Sequence, residues 1–284
     1  MSSMTTRLAG RMAVLIAVAA LVGPGLSAQW PTYPTPDVPR LAGGEPDLDA
    51  PTPRTSDGKP DLSGNWVNRF GGGRRGAPPP TDGPPRATFF NVGAGFPDGL
   101  PFRPWAKELL DQRRADDSKD NPDVWCLPMG YMQFHLHPQP RKIVQTPALV
   151  VITYEANYGL RLIYTDGRPL PPQGEPQPWW YGYSVGRWDG DTLVVQSNNF
   201  LDGGWLDVWG SPLTDAATIT ERFTRPTFGA LDIVVTIDDP KAYTAPFTVG
   251  LSQRIMVDEE LIEFICDENN RSIEHIEPPP AVVP

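Results

Sequence analysis

Ala217-Thr218-Ile219-Thr220-Glu221-Arg222-Phe223-Thr224 and Leu231-Asp232-Ile233-Val234-Val235-Thr236-Ile237 decide the fold. Both alternate with a period of two. Ala217, Ile219, Glu221 and Phe223 share one face, opposite Thr218, Thr220, Arg222 and Thr224. Leu231, Ile233, Val235 and Ile237 share another, opposite Asp232, Thr236 and Asp238. Alternation of this kind predicts two strands, each with one face on a core. Glu221 is the exception, a carboxylate on an apolar face. Burying it is costly unless it is paired. Either an arginine satisfies it or it faces a ligand cavity, and pairing is the preferred expectation.

Outward from these strands the same signal recurs. Strands are expected near Ile143–Gln145, Leu149–Tyr154, Leu160–Tyr164, Tyr181–Trp188, Thr192–Asn198, Phe247–Met256 and Leu261–Cys266. Asp189-Gly190 is a hairpin turn between two of them. No helical pattern of useful length separates these runs, so parallel crossovers are not expected. Eight or nine consecutive antiparallel strands most simply close into a barrel, which removes exposed edges. The predicted fold is mainly β: an antiparallel, lipocalin-like β-barrel with a long Pro/Gly-rich N-terminal extension and one short helix. Pro104 suits the first turn of that helix, over Trp105–Asp117, with Trp105, Leu109 and Leu110 on its apolar side.

Twenty of the 35 prolines lie in residues 29–140, which therefore read as irregular. Residues 29–60 form a Pro-rich linker or arm, and 61–275 a single barrel domain. An irregular insertion covers about 71–103, including the loop Gly71-Gly72-Gly73-Arg74-Arg75-Gly76, and 276–284 is a Pro-rich tail. Residues 1–28 read as a secretory signal: Arg7 and Arg11, the apolar run Met12–Val22, then Leu26-Ser27-Ala28 as a cleavage site. Its removal takes the formal charge from -10 to 22 − 34 = −12. The expected location is periplasmic or secreted, with no membrane span after cleavage. An acidic chain of this kind excludes nucleic acid as a partner. In an oxidising compartment Cys126 and Cys266 are expected to pair, since acidic Asp267 and Glu268 disfavour a reactive thiol.

Several motifs carry a resemblance. Asp57-Gly58-Lys59-Pro60-Asp61-Leu62-Ser63-Gly64-Asn65-Trp66, Ser184-Val185-Gly186, Trp188-Asp189-Gly190-Asp191-Thr192-Leu193, Thr220-Glu221-Arg222-Phe223 and Thr236-Ile237-Asp238-Asp239-Pro240-Lys241-Ala242-Tyr243 resemble a family of secreted proteins of environmental bacteria. The resemblance implies export but no particular activity. Members of that family often carry histidines before the Glu-Arg strand, whereas Gly210–Asp215 holds none here. Gly64-Asn65-Trp66 also resembles the Gly-x-Trp signature opening the first lipocalin strand, where the tryptophan plugs the barrel base.

Three groups of residues could carry chemistry. His135 and His137, two apart, would share one side of an extended segment. No third ligand is assignable, so the expectation is two exposed loop histidines, with no metal and no cofactor. Asp238-Asp239 reads as a strand-ending turn rather than a dyad. The loop aromatics are richer. Trp205 could stack on a flat ring, with Asn199 as a hydrogen-bond partner, and Trp180, Tyr183 and Arg161 could complete a ligand site. The leading expectation is a small-molecule binding protein with a partly apolar ligand. The alternative is an acid–base enzyme, a lyase, isomerase or hydrolase, using Glu221, Asp207 and Arg222 in the same cavity.

Overall fold

The computed structural model describes residues 34–69, 83–174 and 178–268. The expected signal at 1–28, the Gly71–Gly76 loop and the expected tail at 276–284 lie outside them. The chain divides into two units, Met1–Pro34 and Thr35–Pro284, and the barrel belongs to the second. Its strands are β1 (Gly64–Asn68), β2 (Arg141–Gln145), β3 (Leu149–Tyr154), β4 (Leu160–Tyr164), β5 (Tyr183–Asp189), β6 (Thr192–Asn198), β9 (Thr218–Thr227), β10 (Ala230–Asp238) and β11 (Phe247–Met256). The short strands β7 (Gly204–Trp205) and β8 (Pro212–Leu213) pair outside the ring. The helices are α1 (Pro104–Ala115) and α2 (Tyr131–Leu136).

The nine strands close in the order β1-β11-β10-β9-β6-β5-β4-β3-β2. The parity read from β9 and β10 sets the inside: Ile219, Glu221, Phe223, Leu231, Ile233, Val235 and Ile237 are all buried. Trp66, Ile143, Ile152, Ile163, Leu193, Val195, Val249 and Leu251 join them in one core. Each such aliphatic or Phe side chain contributes ~1.5–3 kcal/mol on burial, and Glu221 is the exception among them. Trp66 fills one part of the interior, donating Nε1–H to Leu62 O at 3.0 Å under the Arg225 guanidinium. Gly64 holds φ at +141°, and a Cβ there would meet Ile255 Cδ1 at 3.2 Å.

Three expectations are corrected. First, the ladder is not wholly antiparallel: β4 and β5 run parallel, paired only at Ile163↔Ser184 and Tyr164↔Val185. A crossover with no helix among its described residues makes this possible, since the chain returns through the proline-rich stretch after Tyr164. Second, Leu261–Cys266 is not a strand. Asp258 turns the chain at φ +61°, and β1 already occupies the edge of β11. Third, His135 is not in an extended loop but in α2, whose six residues are all buried. Gly130 permits this, because a Cβ there would fall 2.7 Å from Trp205 O.

The expected helix α1 begins at Pro104 as read, but Ala106 and Leu110 face the core while Trp105 lies largely exposed. The arm before β1 docks on the barrel. Gly229 N–H donates to Leu48 O and Phe228 N–H to Ala50 O, both at 2.8 Å. Cys126 and Cys266 form a disulfide with Cα atoms 5.6 Å apart. Among the described residues no helix is long and apolar enough to cross a membrane.

Candidate functional site

Inside the barrel, Glu221 is fully buried and fully engaged. Tyr131 Oη donates to Oε2 at 2.7 Å, and His135 Nε2 lies 2.6 Å from Oε1. Arg161 grips both oxygens, NH1 to Oε1 at 3.1 Å and NH2 to Oε2 at 2.7 Å. The Arg161 NH2 also reaches Ser184 Oγ at 3.2 Å and Ser197 Oγ at 3.4 Å, and the two hydroxyls lie 2.8 Å apart. The pairing anticipated for Glu221 is therefore with Arg161, in the bidentate form that suits a carboxylate.

The electrostatics follow from this packing. Burial alone would raise the Glu221 carboxyl, but Arg161 and His135 outweigh it and hold Glu221 well below the usual carboxylate range. Burial would likewise lower Arg161, and the Glu221 charge more than restores it. His135 is lowered by burial, with Arg161 and Arg141 adding repulsion against the pull of Glu221. With Arg161 and Glu221 already cancelling, the ring stays neutral at pH 7 and donates its Nε2–H. Arg141 closes the end of α2, donating to His135 O at 2.7 Å and His137 O at 3.4 Å. A cation on the last carbonyls of a helix is favourable.

His137 is half-buried rather than exposed, edge-on to Phe89, and burial beside Arg141 lowers it to about 4. Among the described residues no group of three or more His, Cys, Asp or Glu side chains could hold a metal. A testable consequence concerns pH. A histidine whose folded pKa is depressed leaves the unfolded chain holding more protons below about pH 6.5, so stability rises with pH in that window. Urea unfolding between pH 4.5 and 6.5 should show this slope. His137→Gln should reduce it by somewhat less than the ~1.4 kcal/mol per pH unit of one proton. An unchanged slope would remove His137 from the account.

The carboxylates do not share one cavity. Asp207 is buried in the loop between β7 and β8, where Val92 N, Gly210 N, Ser211 N and Ser211 Oγ all donate to it at 2.8–3.0 Å. Burial raises it and these bonds oppose the rise. It staples its loop and bonds to nothing at Glu221. Arg222 points out of the barrel to Asp189 at 3.1 Å, as the parity of β9 demands. Trp205 is buried under the Arg113 guanidinium, 4.2 Å from its ring centroid, and is unavailable for stacking. Asn199 is buried, accepting from Gly174 N at 2.6 Å and donating to Pro172 O at 3.0 Å. Asp239 holds the Thr214 turn, while its neighbour Asp238 is exposed.

The other three expected ligand residues do come together. Arg161, Trp180 and Tyr183 line a cleft of about 430 Å³ where β4 and β5 part, with Tyr164, Trp179 and Tyr181. Tyr164 and Tyr183 stack at 5.2 Å, Trp179 lies 5.4 Å from Tyr183, and Arg168 caps Tyr164 at 3.7 Å. Arg161 and Ser184 belong to both the cleft and the buried network. Sequence reading took His135 for an exposed loop histidine and missed Tyr131, Ser184 and Ser197. Tyr131 and His135 are four apart, the spacing that places two side chains on one helix face. The serines sit at inward positions of β5 and β6.

No protein-family model, no curated protein and no solved structure matches the chain. The site's chemistry is therefore read from its own geometry.

Proposed function

We propose that this is an exported binding protein with a lipocalin-like barrel, holding a small, flat, partly apolar molecule in the β4–β5 cleft. The observation that carries this reading is the lining: five aromatic side chains around about 430 Å³, over a buried arginine. Ligand pockets are typically this size, mostly apolar, with a few placed polar groups. The Cys126–Cys266 disulfide supports an oxidising location. The ligand lies against the barrel wall rather than in its centre, because core side chains and α2 fill the interior.

The test is titration with the fluorophore 1-anilinonaphthalene-8-sulfonate, read by its emission and by tryptophan quenching. Saturable binding is expected, weakened about tenfold by Trp180→Ala, as loss of a ~1.4 kcal/mol stacking contact requires. Equal affinity in the variant would move the site elsewhere.

A further inference from the structure

One wall of this cleft is an open sheet edge. Tyr154 N–H donates to Gly159 O at 2.8 Å, and Thr165 N–H to Ala148 O at 2.9 Å. Between these bonds the β3–β4 register pairs Ile152 with Arg161 and Val150 with Ile163. In an antiparallel ladder alternate residues send both main-chain groups to the same neighbour. Gly159, Arg161 and Ile163 therefore bond to β3, while Leu160, Leu162 and Tyr164 direct theirs toward β5. But β5 meets β4 only at Ile163 and Tyr164. A parallel pair at that register uses the Leu162 carbonyl and the Tyr164 groups. Among the described residues, the N–H and C=O of Leu160 and the N–H of Leu162 have no strand opposite them.

The segment across the gap does not fill this role. Trp179 N–H donates to Asn199 O, Leu201 N–H to Trp179 O and Gly182 N–H to Trp179 O, so these bonds lead to the stretch just after β6 and to the segment itself. Main-chain groups at a sheet edge are a template for another strand. The side chains suit one too. Leu160 and Leu162 stand on the outer face at 53% and 39% exposure, flanked by Tyr164 and Tyr183. Beneath them Arg161 is 3% exposed, and its Nε has no hydrogen-bond partner. Among the described residues it is the one charged side chain lining the cleft, and no carboxylate lines it. Glu221 already cancels its charge, so the described lining carries no uncompensated charge and favours a neutral occupant.

We propose that the cleft takes a short extended peptide with apolar, uncharged side chains, which pairs with the free edge of β4 and continues the sheet toward β5. The inference rests on the cleft being the binding site and specifies its ligand. The open edge from Leu160 to Leu162 spans ~7 Å at strand rise, enough for two to four ligand residues. Recognition by strand addition takes affinity from main-chain bonds and selectivity from the alternate side-chain positions.

The test uses acetyl-Val-Leu-Val-Leu-amide and two isomers, each carrying one N-methyl group, at the second or the third residue. Neighbouring N–H groups of a strand face opposite edges, so only one isomer loses a bond to Leu160. Calorimetry should show the two isomers differing at least tenfold in affinity. Amide hydrogen exchange at Leu160 and Leu162 should slow at least tenfold on saturation, with Arg161 and Ile163 little changed. Equal affinities for the two isomers, tight or weak, would overturn the pairing. If no peptide binds while the anilinonaphthalene dye does, the peptide class falls and the cleft stands. If neither binds, both readings fall. Sedimentation of the same samples identifies the remaining occupant: a dimer that hides Leu160 and Leu162 from exchange without peptide would assign the edge to a second copy and overturn the proposal.

Discussion

Glu221→Ala should destabilise the protein by about 3–5 kcal/mol, the cost of leaving one partner of a buried ion pair uncompensated. The substitution strands the Arg161 guanidinium inside the barrel, and it removes the acceptor for Tyr131 Oη and the His135 ring together. Against a total of ~5–15 kcal/mol for a typical domain this is a large fraction, and it should appear as a lower urea midpoint. Arg161→Met with Glu221→Leu should recover about 2 kcal/mol of the single loss, because an apolar pair has no charge to strand. The recovery stays partial, since Tyr131 and His135 still lack an acceptor. The effect depends on pH with a definite sign. Glu221 is depressed in the folded chain, so its contribution is complete above the ordinary glutamate range and fades as pH falls through its folded value. The gap between wild type and Glu221→Ala should therefore be constant at neutral pH and narrow under strong acid. A single variant within 1 kcal/mol of wild type would mean that Arg161 has another counterion, and the cleft it lines would be the place to seek one.

What the sequence made legible was whatever obeys a local period. β3, β4, β6 and β11 begin and end where alternation and turn residues place them, and the inside of β9 and β10 follows from parity alone. Parity also exposed Glu221 as a buried charge in need of a partner. It could not name that partner, because Arg161 lies 60 residues away and only the closed ring brings them together. Helix α2 was illegible for a different reason. Six residues give fewer than two turns, too few for a helical period to declare itself. Around Asn199, Trp205 and Asp207 the sequence was ambiguous in kind. Asn and Asp crowd into binding loops, and they crowd equally into loops they merely staple by bonding to nearby backbone. Here all the Asp207 bonds are of that second kind or go to Ser211 and Val92. The parallel β4–β5 pair left no trace either, since the described residues of its crossover hold no helix of the kind by which such units are recognised.

Removing the disulfide, by Cys126→Ser with Cys266→Ser, should cost about 4–5 kcal/mol, the chain-entropy value for a loop of 140 residues. The linkage does more than shorten the unfolded chain. Cys266 lies beyond β11 in a stretch without regular structure, tied to the barrel by Ile262 N to Glu155 Oε2 and by the exposed Lys142–Glu260 pair. Exposed pairs contribute ~0–1 kcal/mol, so the Lys142–Glu260 tie is weak without the covalent bond. Cys126 follows the turn Pro122–Trp125 and precedes α2, the helix that carries Tyr131 and His135 to Glu221. The disulfide thus fastens the C-terminal stretch to the segment that positions the buried network, and Pro128 of that segment lines the cleft. Two effects should be separable. Global stability falls in urea, and amide exchange should quicken more across residues 122–136 than in β9 and β10, whose bonds belong to the ring. A loss below 1 kcal/mol with uniform exchange would show that α2 is held by its own packing. The disulfide would then be a surface tether, and α2 with Arg141 on its last carbonyls would be rigid enough to support the cleft alone.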